Sequence, residues 1–268
     1  MAKKIWAMYF SATGTTEKIV TCIADELAAR EGMEGGKAER YDFTLPQARE
    51  GQPEFGENDV VVFGVPTYAG RVPNLLIKYV QSVKADGALA VPVVLYGNRN
   101  YDDSLMELRN TMEENGFHTV AAAAFIGEHS FSKILAAGRP DDKDMAIAKE
   151  FAGKIVLEDR GPIKVNGEDP IRDYYKPRDR EGNFINILKV KPLTSDACVK
   201  CGLCAKVCPM GSIDPADPKA VPGKCIKCCA CEKKCPVGAK YFEDPGYLLH
   251  KVILEEDYTR RAEPDLFL

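Results

Sequence analysis

The sequence predicts an α/β chain, a doubly wound parallel sheet of five strands followed by a small cysteine-rich α+β module. Three observations predict it. As far as about residue 158, short and nearly continuous apolar runs alternate with amphipathic stretches, the rhythm of βαβ units whose strands are covered on both faces. Beyond that point Gly161, Pro162, Gly167, Pro170, Pro177 and Gly182 interrupt any periodicity. Finally, nine of the ten cysteines fall between Cys198 and Cys235. A length of 268 residues, 45% of them hydrophobic and 28% charged, provides core material for one large or two ordinary domains.

In chain order, KIWAMYF (residues 4–10) is the first strand, and Ile19, Ile23 and Leu27 recur behind it at helical spacing. AERYDF (38–43) is a weaker strand suited to an edge. DVVVFGV (59–65) precedes a helix carrying Leu76, Tyr79, Val80 and Val83, with Pro73 in its first turn. VPVVLYG (91–97) leads to a helix with Leu105, Leu108 and Met112, capped by Asp102 or Asp103 and ended by Gly116. TVAAAAFI (119–126) is the fifth strand, and Ala148, Phe151, Ala152 and Ile155 mark the fourth helix. The expected organisation is therefore a domain over 1–158, a linker over 159–194, a cysteine module over 195–245 and a tail over 246–268. So long a linker is expected to lie along a surface rather than hang free, with FINILKV (184–190) as a short strand. YLLHKVIL in the tail docks on one of the two domains, with no readable role.

The net charge is −4 and no run of five or six like charges occurs, which argues against nucleic acid as a partner. No segment has the roughly 20 apolar residues that a membrane span needs, and IWAMYF is too short for a secretion signal. A cytoplasmic protein is expected, and there clustered cysteines favour metal ligation over disulfides.

The cysteines read CVKCGLCAKVCP from Cys198 and CIKCCACEKKCP from Cys225, so each of the first four returns 27 residues later, together with Pro209/Pro236 and Gly211/Gly238. Three thiolates two residues apart can wrap a tight turn around three corners of a cubane, with the fourth placed beyond that turn to close the other repeat's cluster. Zinc takes four ligands in paired CxxC sets and gives no reason for the longer run twice. The region resembles the 2[4Fe-4S] bacterial ferredoxin module. The resemblance implies one cluster on Cys198, Cys201, Cys204 and Cys235, and another on Cys208, Cys225, Cys228 and Cys231. Cys229 and Cys22 are left over and read as small packing residues. Between Cys198 and Cys235 seven lysines face three acids, a surplus suited to compensating anionic clusters or steering an acidic partner.

Between the first strand and first helix stands SATGTT, Ser11 to Thr16, hydroxyls and a glycine at a strand-to-helix turn where amides and the helix dipole attract a phosphate. It lacks the Gly and Lys spacing of a Walker loop and the glycines of a dinucleotide fingerprint, which suits a mononucleotide. PTYAGRVP (66–73) and GNRNYDD (97–103) leave the next two strand ends, where ligands bind in open parallel sheets. Together these loops resemble a flavodoxin. The resemblance implies FMN, with its phosphate on Ser11, Ala12, Thr13, Gly14, Thr15 and Thr16, and its ring near Pro66, Thr67, Tyr68, Ala69, Gly70, Gly97, Asn98, Arg99 and Tyr101. Tyr68 and Tyr101 would flank the ring. Val20 stands where the family has Ala, and GNRNYDD replaces the family's acidic loop. Arg71 and Arg99 beside a flavin would favour its anionic reduced form. His129, in an insertion over 127–144 longer than this fold needs, reads either as packing or as a proton shuttle.

The whole resembles the fused flavodoxin/ferredoxin proteins of anaerobes, which implies an electron-transfer protein working with donor and acceptor proteins that the sequence does not identify. A tether makes electron delivery intramolecular, and a flavin exchanges two electrons while each cluster passes one. Rival readings are an FMN-dependent reductase of a small substrate, discriminated by a pocket lined by the insertion, and a redox sensor, for which no signalling element is present.

Overall fold

The computed structural model describes residues 3–268. Five parallel strands form the centre: β1 (Lys4–Tyr9), β2 (Glu39–Asp42), β3 (Asp59–Pro66), β4 (Leu89–Tyr96) and β5 (Ala122–Ile126). Their order across the sheet is β2-β1-β3-β4-β5, the 2-1-3-4-5 arrangement of doubly wound folds. β1 pairs β2 with Trp6 opposite Glu39, and β3 pairs β4 with Val62 opposite Val91. β4 is buried along its whole length, as a strand covered on both faces must be.

Helices α1 (Thr15–Arg30) and α4 (Asp142–Lys154) cover one face, burying Ile19, Ile23 and Leu27 beside Ala148 and Phe151. Helices α2 (Ile77–Ser82) and α3 (Ser104–Glu114) cover the other. A turn whose Pro73 carbonyl accepts from Leu76 N and Ile77 N introduces α2, and Gly116 ends α3 with φ of +88°. Asp103 precedes α3 without capping it. Its carboxylate is taken instead by the Arg172 guanidinium and the amides of Glu168 and Arg172.

Two elements depart from the sequence reading. FINILKV forms no strand. Phe184 makes only an isolated bridge to Arg178, and Ile185 N donates to Pro177 O at 2.9 Å. The tail, by contrast, is fully structured. Helix α5 (Pro245–Asp257) starts on Asp244, whose carboxylate accepts from Tyr247 N at 2.9 Å. The chain then crosses Asn98 and ends in β6 (Asp265–Phe267), antiparallel to β5 with Leu266 opposite Ala123. The tail therefore touches both parts: α5 carries Tyr247, stacked on Phe242 at 4.6 Å, while β6 closes the edge of the sheet.

The segment after α4 lies along the surface. Ile163 and Val165 pack on the α2/α3 face, Tyr174 Oη donates to Val72 O at 3.0 Å, and Tyr175 N donates to Ala69 O at 2.8 Å. In the cysteine module, Leu193–Thr194 pairs antiparallel with Lys240–Tyr241, and single helical turns occupy Leu203–Lys206 and Ala230–Lys233. The module shares a core with the sheet, since Cys228 and Ala230 join the α2/α3 apolar cluster. Lys233 Nζ donates to His129 O at 2.8 Å and Ser132 O at 3.1 Å, while Arg49 bonds Pro209 O. Among the described residues no helix is long and apolar enough to cross a membrane.

Candidate functional site

β1, β3 and β4 end at one edge of the sheet, and three loops leave there together. In the first, Gly14 takes φ of +91° ahead of α1, and no side chain caps the helix. Glycine alone adopts that turn without strain. The amides of Thr15 and Thr16 then have no intrahelical acceptor, whereas Glu17 N donates to Ser11 Oγ at 3.0 Å and Ser11 N donates to Thr44 Oγ1 at 2.8 Å. Glu17, the acid of that first turn, accepts from Tyr9 Oη at 3.2 Å. Open donors at the positive end of a helix dipole are the donor set a phosphate requires.

The other two loops wall a cavity of about 1170 Å³. Thr67, Tyr68, Ala69, Gly70, Gly97 and Arg99 line it. Ser11 to Thr16, Pro66, Asn98 and Tyr101 do not. Asn98 faces the tail, donating from Nδ2 to Tyr258 O at 2.7 Å and to Arg260 O at 2.6 Å. Tyr101 is buried and donates to Asp265 Oδ2 of β6 at 2.6 Å. Its hydroxyl thus anchors the C-terminal strand.

Two arginines at this cavity are paired with carboxylates. Arg71 chelates Glu107 through Nε at 2.8 Å and Nη2 at 2.6 Å. Arg99 bonds Asp102 and stacks 4.1 Å over Tyr175. Each guanidinium is thus paired with a carboxylate. His129 lines the cavity with Nδ1 accepting from Phe131 N at 3.1 Å. Burial, helped by His250, Lys233 and Arg99, lowers its pKa to about 3. A neutral ring already holding a backbone amide is packing, not a shuttle poised near neutrality.

Walls that sequence reasoning missed are Tyr174 and Tyr175, Cys225 of the second repeat, and His250 of α5. The signal for the first two was an aromatic pair in an otherwise charged linker. For His250 none was available, because nothing local shows where α5 docks.

The cysteine repeats share one backbone path. Lys200 and Lys227 take φ of +54° and +59°, Gly202 and Cys229 take +73° and +58°, and Gly211 and Gly238 take +58° and +62°. Amides close on the sulfurs at matching places: Lys200 N to Cys198 Sγ and Lys227 N to Cys225 Sγ at 3.4 Å, Ser212 N to Cys208 Sγ at 3.3 Å and Ala239 N to Cys235 Sγ at 3.2 Å. Cys208, Cys225, Cys228 and Cys231 line one small cavity with Pro209, Ile213 and Phe242. Burial, then the charge of Cys225 and Cys208, pushes the Cys228 thiol up to about 12, and Cys231 is pushed up by burial and by the other three. Burial, with Cys208 contributing, raises Cys225, Cys228 and Cys231 alike, and the positive charge of a bound metal centre would favour their thiolates. In the other set, burial raises Cys204, with Cys198 contributing. Cys235 is net lowered because donated amides outweigh its burial. Cys201 is exposed. Cys229 takes the place of Gly202 in the repeat, buried with its sulfur 3.5 Å from Tyr247 Oη.

Tyr68 stands between the two halves. It lines the large cavity and packs on the apolar cluster that holds Cys228. Burial first, then the charges of Cys228, Cys229 and Cys225, drive its hydroxyl well above the ordinary tyrosine range.

Residues 193–214 match the model of the 4Fe-4S binding domain family, and the comparison with curated proteins finds no match. Among solved structures the chain is similar to the Streptococcus pneumoniae TIGR4 flavodoxin, at 16% identity and a TM-score of 0.38 over 56% of this chain and 94% of that one. A flavodoxin from the domain Archaea matches at 13% identity and 0.38, over 56% and 93%. A short-chain flavodoxin associated with a non-canonical PDU bacterial microcompartment matches at 15% identity and 0.39, over 56% and 95%. The strand order itself, with ligand loops at the carboxyl ends of β1, β3 and β4, is the flavodoxin-like one. With the cysteine repeats that follow, the chain is a fusion of a flavodoxin-like fold and a 4Fe-4S ferredoxin module.

Proposed function

We propose that the protein is an iron–sulfur flavoprotein that passes electrons between a low-potential donor, two [4Fe-4S] clusters and FMN. The observation that carries this reading is one cavity walled both by the strand-end loops and by Cys225, with Tyr68 between them. FMN, when bound, supplies the exchange between one-electron and two-electron chemistry. The chain's own part is to hold the phosphate on the amides and hydroxyls of Ser11–Thr16, to place Tyr68, Gly97 and Arg99 along the ring, and to keep water from the route between the sites with the shared apolar core. The cluster sets are Cys198, Cys201, Cys204 and Cys235 on one side, and Cys208, Cys225, Cys228 and Cys231 on the other. The small cavity that Cys208 shares with Cys225, Cys228 and Cys231 supports the cross-repeat assignment. Docking the module through Lys233 and Arg49 makes transfer a step within one molecule.

A second reading, an FMN-dependent reductase of a small substrate fed by the clusters, is favoured by one observation: His129, Ser130 and Phe131 of the insertion line the cavity. The test of the first reading is flash reduction, with cluster and flavin absorbance followed separately. Reduced clusters are expected to pass electrons to FMN at a rate independent of protein concentration, and cutting the chain between residues 159 and 194 to make that step slower and second-order. A flavin that stays oxidised beside reduced clusters, though bound and of higher potential, would sink the relay.

A further inference from the structure

At about 1170 Å³ the cavity exceeds the roughly 300–1,000 Å³ of ordinary ligand pockets, so a flavin ring leaves space beside it. The roof over that space comes from segments that neither redox fold needs: the insertion, the connecting segment and α5. Phe131, Tyr174 and Tyr175 line it, with Arg71 4.8 Å over the Tyr174 ring and Arg99 4.1 Å over the Tyr175 ring. Its charged walls are unbalanced. Lys176, Lys189, Lys191, Lys224 and Lys227 line it against one acid, Asp173, Arg99 being spent on Asp102. Lys191 Nζ donates to Val221 O and Lys227 Nζ to Leu188 O, bonds that satisfy the ammonium without neutralising it. His250 also lines the cavity, 5% exposed and 6.0 Å from the Tyr175 ring, and its Nδ1 has no hydrogen-bond partner among the described residues. A buried imidazole is ordinarily satisfied.

We propose that this space binds a small planar organic anion, a conjugated carboxylate, held flat between the aromatic walls with its charge toward the lysines and its edge on His250. Flat rings select a planar frame, surplus cations select an anion, and a phosphate ester is disfavoured because no helix start or glycine-rich turn lines this part of the cavity. The inference rests on the flavoprotein reading only for what fills the remaining volume.

The test is calorimetric titration of the anaerobically purified, cofactor-loaded protein with trans-cinnamate, alongside cinnamamide and phenyl phosphate. One cinnamate per chain is expected to bind and to perturb the flavin absorbance. Cinnamamide, and cinnamate with the K189Q/K224Q double variant, are expected to bind at least about tenfold more weakly. Both lysines are exposed, so that variant keeps the fold; H250Q is expected to weaken binding without changing iron content. FMN content is read independently from the visible spectrum. A protein that retains no FMN yet binds cinnamate with the same lysine dependence overturns the flavin reading and upholds this one. An FMN-loaded protein that ignores cinnamate, binds the amide equally, or prefers phenyl phosphate overturns this one.

Discussion

Cys235 sits one repeat away from the three cysteines it is proposed to join, and its sulfur already accepts the amide of Ala239 at 3.2 Å. Cys235→Ser is therefore expected to remove about half the iron and the paramagnetic signal of one cluster, sparing the other. Loss confined to the cluster of Cys225, Cys228 and Cys231 would reverse the assignment. Cys229→Ala is expected to leave iron content intact, because that residue occupies the glycine position of the first repeat and packs on Tyr247. At the turn proposed to hold the phosphate, Thr13→Glu sets a carboxylate beside the open amides of Thr15 and Thr16. FMN affinity should fall by at least about tenfold in fluorescence titration, since adjacent like charges repel at close range, while riboflavin affinity changes little. Equal loss for both ligands would move the phosphate elsewhere.

The contact between β3 and α1 is set by one glycine. A Cβ added at Gly64 would stand 2.2 Å from Val20 Cγ2 and 3.0 Å from Thr16 Cγ2. Val20, larger than the alanine of flavodoxins, is thus accommodated by a partner with no side chain, so the helix lies close to the strand and keeps Gly14 and Thr15 near the sheet edge. Gly64→Ala is expected to cost about 1–3 kcal/mol through overpacking. In a Val20→Ala background the same substitution should cost at least about 1 kcal/mol less. Urea unfolding of the four proteins measures the cycle, and strict additivity would mean that the two side chains do not meet.

The assembled molecule buries His250 and half-buries His129 where the two parts meet. His250 is lowered to about 4, first by burial and then by Arg99, and His129 to about 3. Both start from an ordinary value of 6.5. As pH falls through 6.5 the unfolded chain takes up these protons and the folded one does not, so stability present above 6.5 is lost progressively, down to about 4 for His250 and about 3 for His129. Asp103, held near 2 by Arg172, keeps its contribution until pH falls below its ordinary 3.8. Tm is expected to fall by about 5 °C between pH 7 and pH 5, and the His250→Gln/His129→Gln double variant to fall distinctly less. Equal slopes in the two proteins would remove the histidines as the cause.

Local pattern was enough for the strands and helices of the first domain, because an apolar run covered on both faces and a helical stripe are each written in consecutive residues. The same holds for the cysteine repeat, whose backbone path recurs in both halves, and for the turn at Gly14. What the sequence determined by itself is thus the pair of folds, their order and the residues of each turn. Tertiary structure alone decided that β6 completes the sheet, that Tyr101 and Asn98 serve the tail rather than the cavity, and that Tyr68 and Cys225 wall the same space. A strand of three residues has no periodicity to read, and a tyrosine on a loop has the same local sequence whichever way it faces. Those choices depend on which distant surfaces lose water together, as Tyr101 does with Asp265 across 164 residues of chain, and no window of neighbouring residues contains that information.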